Sequence, residues 1–293
     1  MNRSTLPTRT AGAPPVRRMR FRFGEPEPMS KHFADGDIVL SHLTALLSAA
    51  FPPGEDSFVR SVRRVSGRID DPVLKKRAAG FIGQEAMHGQ QHRLLNDQLV
   101  RMGYVLVRVP NFAPGSRRER ALIRAERLLP AHVHLAATAA AEHFTSMLAR
   151  RVLTSPELQE IATASPEVRN LLNWHALEEL EHKSVAFDVY RATGGGEAVR
   201  IGVMTIPYVG IIPFMALAVG LSILTDPQGW RPVTVTRQAV GVLRGPLVKG
   251  LLAEIREYLK PGFHPDDLDT EPLVQQWQRE LFGDDGLLLD RVR

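Results

Sequence analysis

His175-Ala176-Leu177-Glu178-Glu179-Leu180-Glu181-His182 sets a carboxylate and an imidazole, Glu179 and His182, three residues apart. On an α-helix that spacing puts both on one face, and His175 lies one turn before Glu179. The pattern recurs upstream, where Gln84-Glu85-Ala86-Met87-His88 pairs Glu85 with His88 and His92 follows one turn on. One such pair can grip one metal ion. Two pairs on facing helices grip two ions, and a glutamate from each of two further helices then supplies bridging oxygens. The chain offers these in order. Glu55 lies 30 residues before Glu85, and Glu142 lies 37 residues before Glu179, inside Ala139-Ala140-Ala141-Glu142-His143-Phe144. The expectation is an all-α protein: a four-helix bundle with additional C-terminal helices, holding two metal ions.

A lone Glu-x-x-His arises often by chance. Two, each preceded at helix-hairpin distance by a glutamate, are far more specific. Glu55 has a plainer alternative, in a first helical turn where it would complement the dipole. Glu142 has less of one, because an unpaired carboxylate among Ala and Phe is costly to bury. Glu178 and Glu181 fall on other faces, so Glu178 is expected in solvent or behind the ligands. His92 and His175 read as solvated groups or as donors to the ligands, and Asp188 as an acceptor that orients a ligand histidine. His132, His134 and His143 read as surface or polar-core groups. Carboxylate and imidazole without sulfur suit iron or manganese, and zinc less distinctively.

The composition agrees with a folded helical protein: 293 residues, 44% hydrophobic, 24% charged and only 6% aromatic. There is no cysteine, which excludes disulfides, iron–sulfur clusters, thiolate zinc sites and thiol nucleophiles. The net charge of +5 gathers in clusters such as Arg17, Arg18, Arg20 and Arg22. Solvated helix faces are the plain reading of these. Anionic lipid is an alternative, whereas no nucleic-acid-binding motif is present.

Residues 1–33 read as a flexible basic arm, with Met19-Arg20-Phe21-Arg22-Phe23 as one extended piece against the body. No apolar run follows its arginines, so it is not a secretory signal and the expected location is cytoplasmic. Residues 34–196 form the metal-binding bundle. The first helix is expected over 37–50, broken at Phe51-Pro52-Pro53-Gly54, with a second from there to 66. Asp71-Pro72 opens a helix that Gly103 stops. Ser116 caps one reaching 153, bent at Pro130, and Ser155-Pro156 starts a short one. Ser165-Pro166 starts one that ends at Gly194. Within 197–260, residues 201–225 carry no charge. Three readings stay open for them: a kinked transmembrane helix, a re-entrant or interfacial anchor, or a buried hairpin. An amphipathic helix over 232–259, interrupted near Gly245-Pro246, follows. The tail 261–293 holds a short helix with Trp277.

Together, Phe51-Pro52-Pro53-Gly54-Glu55-Asp56, Gln84-Glu85-x-x-His88 with His92 and Asn96, Ala141-Glu142-His143, and Trp174-His175-x-x-Glu178-Glu179-x-Glu181-His182-Lys183 resemble a bacterial family labelled predicted metal-dependent hydrolase. The four-part pattern is similar to the wider ferritin-like di-iron carboxylate superfamily. That superfamily includes ribonucleotide reductase small subunits, soluble acyl desaturases and bacterial multicomponent monooxygenases. The resemblance implies two metal ions, iron first with Mn or Zn as alternatives, on Glu55, Glu85, His88, Glu142, Glu179 and His182. On reaction type it points two ways. The superfamily implies O2-dependent hydroxylation or desaturation of an apolar, lipid-like substrate, served by a redox partner protein, and this is the leading expectation. The family label implies hydrolysis of an ester or phosphoester, although neither Gly-x-Ser-x-Gly nor His-Glu-x-x-His is present. A third reading is a non-catalytic metal-binding or membrane-associated protein. A homodimer and a membrane surface met through 201–225 complete the expected partners.

Overall fold

The computed structural model describes residues 12–161 and 165–293. Residues 1–11 of the arm and 162–164 lie outside them. Among the described residues the chain is helical, with no strand and one isolated antiparallel bridge, Met19 to Val292.

Local chemistry starts the helices. Asp37 accepts the Leu40 N–H at 2.8 Å and begins α1 (Ile38–Val65). Asp71 accepts the Val73 N–H at 2.8 Å, with Pro72 in the first turn, and begins α2 (Pro72–Arg101). Gly103, at φ +95°, follows its end. Ser116 caps α3 (Arg117–Leu128). Then come α4 (Ala131–Thr154), α5 (Pro156–Ile161), α6 (Pro166–His182) and α7 (Val185–Ala192). Helices α1 and α2 pair, α4 and α6 pair, and the cross-contacts α1–α4 and α2–α6 close a four-helix ring.

Two apolar clusters fill the ring, one at each end. Leu95, Leu99, Trp174 and Leu177 belong to one, and Val62, Phe81, Leu135 and Val185 to the other. On α1 and α2 the Glu and His pattern falls between them.

Three expectations change. First, α1 does not break at Phe51-Pro52-Pro53-Gly54. Proline 52 has no N–H for the Ser48 carbonyl four residues back. Asn96 of α2 supplies one instead, Nδ2 to Ser48 O at 3.0 Å, and the helix runs on. Glu55 therefore sits mid-helix and not in a first turn. Second, Pro130 separates α3 from α4 outright, because the residue before a proline avoids the helical region and Leu129 is extended (ψ 139°). Third, the helix expected from Ser165 to Gly194 turns at Lys183-Ser184 into α6 and α7.

The uncharged stretch is one helix, α8 (Glu197–Leu224), which passes through Pro207 and Pro213. The hairpin does not form. By length and composition α8 could cross a bilayer, yet it lies along α4 and α1. Buried Arg200, Met204, Val219, Ser222 and Ile223 mark its inner face. Arg200 ties one end to the Tyr258 and Lys260 carbonyls. Ser222 ties the other to His42 at 2.7 Å. Beyond it lie α9 (Pro232–Arg244), α10 (Leu251–Tyr258) and α11 (Glu271–Phe282). Helix α11 packs on α6, and Trp277 Nε1–H donates to the Leu153 carbonyl at 3.2 Å.

Residues 12–33 lie against this body, with Met19, Phe21 and Phe23 buried. Their seat is built from glycine. A Cβ on Gly80 would stand 2.5 Å from Pro14 O, and one on Gly83 2.4 Å from Val16 Cγ2. Any larger residue there pushes the arm off α2.

Candidate metal centre

Each wall of the ring contributes carboxylate or imidazole groups at one level. Helix α1 brings Glu55, α2 brings Glu85 and His88, α4 brings Glu142, and α6 brings His175, Glu179 and His182. All seven are buried. They form three overlapping donor groups: Glu55 with His88 and His175, Glu85 with His88 and Glu179, and Glu85 with Glu142 and His182. Within each group the donor atoms all lie within 4.8 Å of one another. His182 Nε2 lies 3.0 Å from Glu85 Oε1 and 3.3 Å from Glu142 Oε2. His88 Nδ1 lies 3.7 Å from Glu179 Oε1. The six residues singled out by spacing thus come together, and His175 joins them, its Nε2 3.6 Å from Glu55 Oε1 and 2.9 Å from Glu179 Oε1.

Two observations test whether this cluster fits metal. Both oxygens of Glu55, Glu85 and Glu142, with His88 Nδ1 and His182 Nε2, are buried without a well-aligned hydrogen bond, the close approaches of His182 Nε2 to Glu85 and Glu142 being ion-pair contacts. Leaving one such group unpaired costs about 1–3 kcal/mol, more if it is charged, so a set converging on one spot calls for cations. The second is that each imidazole is held by its other nitrogen, as ligand histidines are. His88 Nε2 meets Glu178 Oε2 at 3.0 Å, His182 Nδ1 meets Gln84 Oε1 at 2.9 Å, and His175 Nδ1 meets His92 Nε2 at 2.7 Å. His92 is held in turn by Ser48 Oγ at 2.9 Å. The residues present fit two metal ions.

The electrostatics agree. Burial, then repulsion from Glu142, pushes Glu85 up to about 8. Burial and Glu179 push Glu142 up to about 7. Burial and the neighbouring Glu85 raise Glu55 well above the ordinary carboxylate range. Burial alone would raise Glu179 too, but His182 and His175 outweigh it and hold it low. Joint ionisation of these carboxylates is disfavoured unless positive charge joins them.

Some supporting groups were missed in the sequence. Arg17 reaches from the arm to Glu178 Oε1 at 2.9 Å and Glu181 Oε1 at 2.7 Å, so the Glu178 that holds His88 is itself held. Gln84 Nε2 donates to Glu181 Oε2 at 2.8 Å. Thr145 Oγ1–H donates to Glu179 Oε2. Thr145 follows Glu142 at helical spacing, a signal that could have been read. Asp188 is a correction: it pairs with Arg77 at 2.6 Å and His264 at 2.9 Å and orients no ligand histidine. His134 bonds Ser57, and His132 bonds the Thr193 carbonyl, both away from the centre.

A second buried group, His32, His42 and Asp226, also has metal-like spacing. Its partners are already satisfied, because Asp226 accepts from His32 at 2.8 Å and pairs with Lys31 at 3.0 Å. The ammonium occupies the place a metal charge would take, so this group is a latch between the arm, α1 and the end of α8.

An apolar cavity of about 120 Å³ leads to the cluster, bounded by Phe51, Leu47, Leu148 and Leu172 and ending at Thr145, His175 and Glu179. A family model described as predicted metal-dependent hydrolase matches residues 15–269 of the chain. No curated protein matches it, and no solved structure does.

Proposed function

We propose that this chain, which belongs to the predicted metal-dependent hydrolase family, is a two-metal enzyme acting on an apolar substrate. Glu55, Glu85, His88, Glu142, Glu179 and His182 would hold the ions, with His175 on the Glu55 side. The observation that carries this is the convergence of buried, partnerless carboxylate and imidazole atoms on one place. Bound divalent ions would supply Lewis acidity and acidify a water for hydrolysis, or, as iron, electrons for dioxygen.

The chain's own residues do the rest. Glu178, Gln84 and His92 fix the three imidazole rings, and Thr145 pins one oxygen of Glu179. Phe51, Leu47 and Leu172 line the approach and keep bulk water from the centre. An apolar chain seated there would present its reacting group beside His175 and Glu179.

Hydrolysis of an ester with an apolar chain is the first reading, supported by family membership. It expects turnover without O2 by protein loaded with zinc or manganese. Failure across an anaerobic panel of acyl esters and phosphoesters, with two metals bound by elemental analysis, would refute it. The donor chemistry favours a second reading. Four carboxylates with imidazoles and no sulfur suit iron, and the pattern resembles the ferritin-like di-iron proteins, so oxidation of the same chain is the alternative. It expects O2 uptake by anaerobically prepared ferrous protein, and no uptake rules it out.

A further inference from the structure

Helix α8 buries one face and leaves the opposite one bare. Ile206, Val209, Phe214, Leu217, Leu221 and Leu224 are exposed, Ile206 to 77%. They recur every three or four residues along the ridge, apart from one step of five between Val209 and Phe214, with no charge among them. At 1.5 Å per residue the ridge is about 27 Å long. Helix α9 continues the pattern. Val235, Ala239 and Val242 pack inward with the end of α8, while Val233 (83% exposed) and Leu243 face out. Between the two helices stands Trp230, 75% exposed. Soluble monomers rarely leave so continuous an apolar surface uncovered.

Charge says what covers it. Between Asp226 and Glu254 the chain has four cationic residues, Arg231, Arg237, Arg244 and Lys249, and no acidic one. All four are exposed. A symmetric contact with a second copy would bring these like charges toward each other without anions to pair them. A bilayer with anionic headgroups satisfies cations and apolar side chains together, with tryptophan at the boundary. Both ends of α8 are tied to the body, so the helix lies on such a surface and does not cross it.

The same surface leads to the metal centre. The apolar cavity that ends at His175 and Glu179 shares Leu40, Leu158 and Leu247 with a groove whose other walls include Arg237, Gly241 and Val242 of α9. Asp37 and Glu157 also line that groove. We propose that α8 and α9 dock the protein on an anionic bilayer, and that the substrate is a lipid whose acyl chain passes from that bilayer along α9 into the cavity. The substrate half of this rests on the two-metal reading above. The docking half does not.

The test uses the full chain and vesicles of phosphatidylcholine, alone or with about one third phosphatidylglycerol. Flotation measures binding. Lipids brominated along the acyl chain report insertion by quenching Trp230, and Trp230→Phe subtracts the buried Trp174 and Trp277. The expected result is flotation with anionic vesicles, weakened by salt, and quenching of Trp230. Arg237→Glu with Arg244→Glu should lower partitioning at least about tenfold, and Leu217→Asp should abolish it. Should Leu217→Asp fail to fold, quenching in the unaltered protein decides. No flotation with anionic vesicles at low salt overturns the proposal. So does a lipid-free dimer that Leu217→Asp dissolves while vesicles bind nothing. Elemental analysis on the same samples reads the metal centre separately, so failure of docking and failure of the two-metal reading are distinguishable.

Discussion

Replacing Asn96 with alanine should destabilise the metal-free protein by about 3–5 kcal/mol, and removing Pro52 should take back part of that loss. Asn96 is fully buried between α1 and α2. Its Nδ2–H donates to Ser48 O at 3.0 Å, and its Oδ1 accepts from Ser48 Oγ–H at 2.8 Å. Two net hydrogen bonds are worth about 1 kcal/mol each, and a buried carbonyl left unpaired adds about 1–3 kcal/mol. That carbonyl depends on Asn96 only because residue 52 is proline. In Pro52→Ala the new N–H lies four residues on and can donate to Ser48 O, so Asn96→Ala should there cost about 1–2 kcal/mol less. Urea unfolding of the four chelator-treated proteins, followed by helical circular dichroism at constant slope, measures the coupling. If the two changes add to within about 0.5 kcal/mol, the account of how α1 survives Pro52 is wrong.

Glu178→Gln should weaken metal binding about 10- to 100-fold, and Arg17→Ala, one step further from His88, by less; competitive metal titration ranks them, and equal effects would break the proposed chain of support. Gly83→Val should cost about 1–3 kcal/mol through its clash with Val16 and expose residues 12–18 to limited proteolysis, with unchanged cleavage counting against the seat on α2. The latch at Asp226 gives an acid limb. Burial works to raise Asp226, but hydrogen bonds from His32, Lys31, Gln228 and His42 overcome it and hold the carboxyl below its ordinary value, while burial lowers His42 despite its bond to Asp226. Both shifts make the unfolded chain bind protons first. Their stabilisation is therefore complete above about pH 6.5, erodes first at His42, and then at Asp226 from about pH 3.9 downward. Asp226→Asn should flatten the lower part of that limb in urea midpoints measured from pH 5 to 2.

The centre was legible because its signal is local. Glu85 with His88, and Glu179 with His182, are three-residue patterns that any helix must present on one face, and order along the chain then nominated Glu55 and Glu142. What supports the centre was not legible to the same degree. Arg17 lies far from Glu178 in sequence, and nothing in an arginine-rich arm marks one arginine as the one that docks. His32, His42 and Asp226 are scattered in the same way. Phe51-Pro52-Pro53-Gly54 misled for a physical reason. Proline removes a donor, and whether a helix survives depends on a neighbour that can replace it. Asp188 was nominated on chemistry alone, as a carboxylate able to accept the second N–H of a ligand histidine, on a helix expected to run on from α6. The turn at Lys183-Ser184 re-aims it toward Arg77.

The contact between Asn96 and Ser48 also fixes a direction. A carbonyl only accepts, so Asn96 must turn its amide N–H toward Ser48 O and its oxygen toward the serine hydroxyl, which then donates. Having spent its proton, Ser48 Oγ accepts from His92 Nδ1–H. Burial keeps His92 neutral by lowering its pKa, so its Nε2 is bare and accepts from His175 Nδ1–H. The tautomers of His92 and His175 are thereby fixed in sequence. The relay ends at His175 Nε2, which faces Glu55 Oε1 at 3.6 Å and Glu179 Oε1 at 2.9 Å. The orientation of one buried amide thus decides which nitrogen of His175 faces His92 and which faces the candidate metal centre.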